Sequence, residues 1–274
     1  MGRIAKSGKF SKPAATSNMS TSGAATAGTA PFSTTETKAT NGCRTSSERS
    51  CERMRQMIRF MILFALACNV AFATETFKAK VGGYTYSYAI TSNNCAVIMD
   101  SDAWVKIRDI QQRNSRCEIP VAISPAPNDK FKIPDSLDGH DVVEIGDWAF
   151  AFCSNIVSVA IPATVAKIGK YSFAGCLKLK SVEFCGFCLK EIDVGAFVGC
   201  SGLVDVALPD SVLSLGERSF SNCECLQKMK LSKELECIGD GAFVGDSCLR
   251  DVVLPPNLKT LGVNAFAECD SIEN

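Results

Sequence analysis

The sequence predicts a solenoid of stacked coils, and three observations lead to this prediction. A phenylalanine recurs six times in the second half of the chain, at intervals of 23 or 24 residues. A glycine or aspartate precedes it by four residues in every copy, and a cysteine follows it by three residues in five of the six copies. A unit of this length cannot bury an apolar face alone, so it must stack on copies of itself. The phenylalanine column comprises Phe150, Phe173, Phe197, Phe220, Phe243 and Phe266.

Each copy predicts the same local elements in the same order. Segments such as LKSVEF (179–184) and LVDVAL (203–208) are apolar at alternating positions, which predicts one short parallel β-strand per coil. The glycine column predicts a tight bend with positive φ, and Asp193 in that column is one of the few side chains that tolerate it. A small residue before the phenylalanine predicts a short helical turn that places the aromatic ring inside the coil.

The pattern LxxVxxPxxVxxIGxxAFxxCxxL over residues 131–274 resembles the BspA-like leucine-rich repeats, which occur in surface and secreted proteins of bacteria and some protists. The resemblance implies a leucine-rich-repeat solenoid, wound as a right-handed superhelix with a concave parallel sheet. It also implies a protein that binds other macromolecules and does not catalyse a reaction. Three copies depart from the pattern: the first has a longer loop, DSLDGHDVVE, the third has FCGFCLKE in place of a proline-led turn, and the fifth has Ser232 and Asp246 in place of proline and cysteine.

The chain before the repeats divides into three segments. Residues 1–52 are rich in Ser, Thr, Ala and Gly, which predicts a disordered segment. Residues 53–73 have an arginine-rich start, an apolar run and a closing Ala-Phe-Ala, the layout of a secretory signal peptide. Residues 74–130 contain alternating segments at 81–90 and 93–99, which predict a β-hairpin that caps the first coil. The tyrosines on one face of this hairpin, Tyr84, Tyr86 and Tyr88, leave a second interpretation open, an aromatic ligand-binding platform.

The signal peptide predicts a secreted or cell-surface protein without a stable membrane span after cleavage. The apolar run from Phe60 to Phe72 is 13 residues long, whereas a membrane-spanning helix takes about 20. A transmembrane anchor and a lipoprotein centred on Cys68 are the alternatives. Because signal peptides begin a chain, we expect translation to start at Met54 or Met57, with the residues upstream an extension. At the other end the chain stops at CDSIEN, where the next strand is due, so we expect either a truncation or an edge that pairs with another molecule.

The charge distribution argues against nucleic acid as a partner. Ten of the 29 basic but only three of the 29 acidic residues precede residue 74, which leaves 19 basic and 26 acidic residues, a net charge of −7. Binding to phosphates needs a basic surface. No P-loop, G-x-S-x-G or G-x-G-x-x-G motif is present, so no cofactor is predicted.

The cysteines raise the question of catalysis. A cysteine nucleophile needs an adjacent base, and the chain has one histidine, His140, in the polar loop DGHD. We therefore predict that the protein is not an enzyme. The recurring cysteines are predicted to form a ladder of buried thiols, because Asp246 interrupts the column and cannot replace half a disulfide. This ladder comprises Cys153, Cys176, Cys200, Cys223 and Cys269.

Other cysteines leave two possibilities open. Since secretion predicts an oxidising compartment, we expect disulfides at Cys95–Cys117 and Cys225–Cys248. A zinc site at Cys185 and Cys188 is disfavoured because no second ligand pair follows at a suitable distance, so no metal is predicted.

The binding surface is predicted on the concave face of the solenoid, at the strand positions between the core residues. The function predicted from it is binding of another protein or a glycan. The alternative is a structural component of an envelope or matrix that assembles through the open end of the solenoid. The candidate residues are Ser158, Ser181, Glu183, Asp205, Lys228, Lys230, Asp251 and Val253.

Overall fold

The computed structural model describes residues 75–99 and 122–272, which form sixteen β-strands and no helix. The predicted segments at 1–52 and 53–73 lie outside these residues. The first eight strands are β1 (Phe77–Val81), β2 (Tyr84–Ile90), β3 (Ala96–Ile98), β4 (Ile123–Ser124), β5 (Asp129–Lys132), β6 (Ser136–Leu137), β7 (His140–Ile145) and β8 (Ile156–Ile161). The others are β9 (Lys167–Ile168), β10 (Ser181–Phe184), β11 (Glu191–Ile192), β12 (Asp205–Ala207), β13 (Ser214–Leu215), β14 (Lys228–Lys230), β15 (Cys237–Ile238) and β16 (Thr260–Leu261).

The strands form two sheets, and within the repeats the chain passes alternately from one sheet to the other. The eleven-stranded sheet has the order β1-β2-β3-β7-β9-β11-β13-β15-β16, with β4 beside β2 and β6 beside β7. The five-stranded sheet has the order β14-β12-β10-β8-β5 and ends in a parallel bridge from Lys228 to Asp251. Within the repeats, neighbouring coils pair in parallel register in both sheets. The predicted solenoid is confirmed, but the prediction of one strand per coil is wrong, because a second strand precedes the glycine column.

The six phenylalanines stack along the inside of the coils. Successive rings lie 5.0 to 5.7 Å apart between centroids, with interplanar angles of 2° to 11°. Phe150 to Phe243 are completely buried, and Phe266 is half-buried. The prediction that each repeat places its ring in the interior is confirmed. This phenylalanine ladder holds the coils in register, because each of the four inner rings stacks on its equivalents in the coils on either side.

The glycine column has a different role from the predicted one. Its glycines do not have positive φ, so the predicted left-handed bend is wrong. A Cβ at Gly216, Gly239 or Gly262 would instead lie 2.3 to 2.5 Å from backbone atoms of the preceding coil. The close approach of successive coils therefore accounts for glycine at these three positions. Asp193 fills the column in one coil, where its carboxylate accepts a hydrogen bond from the Val194 N–H at 2.7 Å.

Positive φ occurs two residues before and two residues after each phenylalanine. All twelve of these residues have φ between 52° and 81°, and seven of them are not glycine. Alternate N–H groups of this segment donate to the next coil; for example, those of Phe150 and Phe152 donate to the carbonyls of Ser172 and Ala174 at 2.7 Å. The N–H groups between them bond inside the segment over three residues, as that of Ala151 does to the Trp148 carbonyl at 3.1 Å. The segment is therefore a series of turns, half of whose N–H groups bond to the next coil, and the predicted helical turn is wrong.

The predicted hairpin is confirmed and lies against the first coil. Strands β2 and β3 pair antiparallel, β1 pairs with the other edge of β2, and β3 pairs in parallel with β7 of the first coil. Tyr86 and Tyr88 are buried, and Tyr88 donates a hydrogen bond to the Asp138 carboxylate at 2.8 Å. Two of the three tyrosines are therefore unavailable as an aromatic platform, whereas Tyr84 is only half-buried.

Candidate binding face

The five-stranded sheet separates core side chains from outward side chains along each strand. Val159, Val182, Val206 and Met229 occupy equivalent inward positions and are buried. The residues on either side of them in the sequence point outward, as alternation along a strand requires. All eight candidate residues therefore occupy outward positions, with Ser158 half-buried and the other seven exposed.

These outward residues form two rows across the strands, which we call the outer face. The first row follows the pairing of Lys130 with Ser158, Ser158 with Ser181, Ser181 with Asp205 and Asp205 with Lys228, and it ends at Asp251. The second row comprises Lys132, Ala160, Glu183, Ala207, Lys230 and Val253. Because neighbouring strands lie about 4.8 Å apart, Lys228 has an acidic neighbour on either side, Asp205 and Asp251, whereas Lys230 lies between Ala207 and Val253.

The charges of the candidate residues are not paired with one another or with neighbouring groups. Among the described residues no ion pair involves Glu183, Asp205, Lys228, Lys230 or Asp251. Some charges elsewhere on the coils are paired between copies. Lys167 contacts Glu191 at 3.2 Å and Asp193 at 3.0 Å, and Lys259 contacts Glu236 at 2.8 Å. The five charged candidate residues thus present charges of both signs without an ion-pair partner.

Lys130 and Lys132 on β5 belong to the outer face but are absent from the sequence-based prediction. Both are exposed and flank the buried Phe131. The signal was present, since DKFKIP (129–134) has the alternation and the closing proline of the later strands. The long loop after it displaces this strand from the 23-residue register, which hides the equivalence.

The predicted thiol ladder is confirmed. Cys176, Cys200 and Cys223 are completely buried, and Cys153 and Cys269 are nearly so. Each thiol after the first donates to the carbonyl of the phenylalanine in the preceding coil, at 3.0 to 3.4 Å. Burial raises the pKa of all five thiols, that of Cys269 to about 12. Because the thiolate is the reactive form of cysteine, these residues are suited to packing.

Neither predicted disulfide is present. Cys95, Cys225 and Cys248 are free thiols, and Cys117 lies outside the described residues. Cys225 and Cys248 occupy equivalent positions in successive coils, where side chains stacked in register point in the same direction and fit disulfide geometry poorly. Cys185 and Cys188 are both exposed, and no group of three metal-ligating residues occurs in the part of the chain that the structure describes.

His140 lies at the start of β7, after an Asp138-Gly139 turn in which both residues have positive φ. Its Nδ1 atom is 3.0 Å from the backbone carbonyl of Asn94. This contact links the first coil to the turn between β2 and β3. The ring is half-buried there, so its observed role is to join two loops.

Stacked parallel coils, a phenylalanine ladder and an outward polar sheet define a leucine-rich-repeat protein. The family model described as the BspA-type leucine-rich repeat region matches residues 143–273 in six copies. Residues 143–273 are therefore a leucine-rich repeat region of the BspA type, as the motif predicts. No curated protein matches the chain in sequence.

Solved structures of bacterial leucine-rich repeat proteins share this fold. The T. pallidum leucine-rich repeat protein TpLRR is 25% identical, with a TM-score of 0.54 over 69% of this chain and 88% of that protein. A leucine-rich repeat protein from Bacteroides ovatus is 24% identical, with a TM-score of 0.51 over 74% of this chain and 45% of that one. The pneumococcal vaccine antigen PcpA is 24% identical, with a TM-score of 0.52 over 70% of this chain and 47% of that one. This chain thus spans less than half the length of the last two proteins, and these likenesses concern the fold.

Proposed function

We propose that this protein is a secreted or cell-surface interaction module that binds another protein or a glycan through the outer face and catalyses no reaction. The observation that carries the proposal is the set of unpaired charges on equivalent strand positions of successive coils. Charges that are not neutralised internally remain available to a partner, and complementary charges set the specificity and the rate of association. The partner must present opposite charges at the spacing of the strands.

Secretion is supported by the signal-peptide layout of residues 53–73. The described part of the chain contains no helix that could cross a membrane. A non-catalytic role is supported by the state of the repeat cysteines, which are buried and protonated and so lack the reactivity of a nucleophile.

The first test identifies a partner and then reverses two charges. The full-length protein is screened by surface plasmon resonance against purified extracellular-matrix proteins and a panel of glycans. Affinity for any partner found is then measured for Lys228→Glu with Lys230→Glu. We expect affinity to fall by about tenfold or more, because these two lysines supply the positive charge at the β14 end of the outer face. Affinity for the unchanged protein should also weaken with added salt.

The matched control is Lys190→Glu with Lys259→Glu, which makes the same change in net charge. Both lysines are exposed and occupy equivalent positions before strands of the eleven-stranded sheet. The control should bind as the unchanged protein does. Equal losses in the two double variants would mean that net charge matters, and an unchanged affinity for Lys228→Glu with Lys230→Glu would exclude the outer face as the binding surface.

A further inference from the structure

A cleft of about 370 Å³ lies between the N-terminal hairpin and the first strand of the five-stranded sheet. The hairpin supplies Val81, Gly82 and Tyr84, and β5 supplies Lys130 to Lys132. Pro134 to Ser136 close the opposite side. The volume falls within the range of about 300 to 1,000 Å³ that is usual for small-ligand sites. The cleft adjoins the first strand of the outer face and contains none of the eight candidate residues.

The floor of the cleft is a fixed set of aromatic rings. Tyr84 meets Phe131 edge to face, with centroids 5.4 Å apart and an interplanar angle of 82°. Tyr86 lies below them, stacked on Phe131 at 6.5 Å and 21°. Phe131 and Tyr86 are buried, while Tyr84 keeps part of its ring accessible. Because this packing continues into the phenylalanine ladder through Phe131 and Phe150, the apolar floor is preorganised.

The rim of the cleft carries charges of both signs. Lys130 has no ion-pair partner among the described residues, and Lys132 contacts Asp135 at 3.7 Å. The side chains of this pair are 67% and 60% exposed, so the interaction is weak and easily exchanged for another partner. A ligand in the cleft would therefore meet an apolar floor, two ammonium groups and one carboxylate.

We propose that this cleft binds an acidic sugar residue, such as a uronic acid, within a saccharide. The carboxylate of the sugar would pair with Lys130 and Lys132, as charge-assisted hydrogen bonds favour. The apolar face of the sugar ring would lie against Tyr84. The sugar hydroxyls can donate to Asp135 and accept from the lysines. An acidic peptide fits less well, because its further carboxylates would approach Asp135, whereas a neutral sugar would leave the lysines without a counter-charge.

The test is titration calorimetry of the full-length protein with an oligosaccharide of galacturonic acid. A neutral galactose oligosaccharide of the same length and a peptide of glutamates are the comparison ligands. We expect the acidic saccharide to bind and to lose at least about tenfold in affinity in Lys130→Gln with Lys132→Gln and also in Tyr84→Leu. Both lysines are exposed, so their replacement leaves the core intact.

The matched control is Lys190→Gln with Lys259→Gln. Its two lysines are exposed and lie before strands of the eleven-stranded sheet, outside the cleft and the outer face. Binding of the acidic saccharide should be unchanged in this control. A failure here leaves the function proposed for the outer face untouched, because that function is tested separately at Lys228 and Lys230. The proposal is overturned if the acidic saccharide does not bind, if the control pair weakens it equally, or if the neutral saccharide or the glutamate peptide binds as tightly.

Discussion

Asp246 is the residue at which the thiol ladder is interrupted. It is completely buried, and its Oδ1 accepts a hydrogen bond from the Cys223 N–H at 2.8 Å. Its Oδ2 is buried without a hydrogen-bond partner among the described residues. Burial raises the pKa of this carboxyl to about 9, although the hydrogen bond from Cys223 acts in the opposite direction. At neutral pH the side chain is therefore a protonated acid in a place where the other coils hold a thiol.

This raised pKa predicts that the fold loses stability as the pH rises. Between the ordinary carboxyl pKa of 3.8 and the raised pKa of about 9, the folded protein holds a proton at Asp246 that the unfolded chain has released. The free energy of unfolding should therefore fall across this window, by at most about 1.4 kcal/mol per pH unit from this group. The measurement is urea unfolding of the unchanged protein and of Asp246→Asn at pH 5, 7 and 9, since asparagine does not titrate.

The difference between the two proteins isolates the contribution of Asp246 from that of the other titrating groups. We expect the unchanged protein to lose more stability than Asp246→Asn between pH 5 and 9. Asp246→Cys restores the residue of the other coils and should show the same weaker pH dependence. Parallel stability curves for all three proteins would contradict a raised pKa at this position.

At the scale of the element, the segment around each phenylalanine requires side chains of compatible size at equivalent positions of neighbouring coils. A large side chain two residues before or after the phenylalanine lies over the equivalent residue of the next coil. Tyr171 covers Gly195, where an added Cβ would be 2.3 Å from the ring, and Phe152 covers Gly175, where it would be 2.6 Å away. Glycine at these positions therefore provides both positive φ and room for the neighbouring side chain.

Gly195→Ala tests this match, with Gly82→Ala as its control. The two glycines have nearly the same φ, 59° and 58°, but a Cβ at Gly82 would meet nothing within 4 Å. The control should cost about 1–2 kcal/mol for the left-handed conformation alone. Gly195→Ala should cost a further 1–3 kcal/mol or so, because the methyl group overpacks the ring of Tyr171. Chemical denaturation measures both losses, and equal losses would show that the ring moves aside without cost.

Some elements of the fold can be predicted from the sequence, and others cannot. The period, the phenylalanine ladder and the outward residues of the longer strands follow from spacing and alternation, so they could be predicted. The second strand of each coil is two residues long in most copies, too short to show a period. In the first five coils the residues with positive φ beside the phenylalanine donate their N–H groups to the next coil, and they are as different as Trp148, Gly195 and Arg218. Residue type alone gives no signal for this conformation.

The candidate site likewise contains residues that the sequence predicts and residues that it does not. Alternation along the later strands identifies the eight outward residues, because their core neighbours are plain in the sequence. Lys130 and Lys132 are absent from the prediction although DKFKIP (129–134) alternates, because the long loop after it displaces β5 from the 23-residue register and its pairing with β8 is irregular. The cleft was missed as well, since it forms where the hairpin meets β5, a contact between segments that no repeat relates.

At the scale of the whole molecule, the phenylalanine ladder makes the stability of each coil depend on the coils beside it. In a stacked array each repeat contacts only its neighbours, so stability is approximately a sum of repeat terms and interface terms. Phe197 has a ring on either side, Phe173 at 5.2 Å and Phe220 at 5.1 Å. Phe266 stacks on Phe243 at 5.0 Å and is half-buried. The same substitution should therefore have different consequences at the two positions.

Phe197→Ala removes two interfaces from the middle of the array and should cost about 3–5 kcal/mol, whereas Phe266→Ala should cost clearly less. The central variant should also divide the coils into two groups that unfold at different denaturant concentrations, because the interface that couples them is weakened. Urea unfolding followed by circular dichroism measures both effects, with a lower apparent m value as the sign of lost cooperativity. Equal losses at Phe197 and Phe266, with unchanged m values, would mean that the coils do not depend on their neighbours through this ladder.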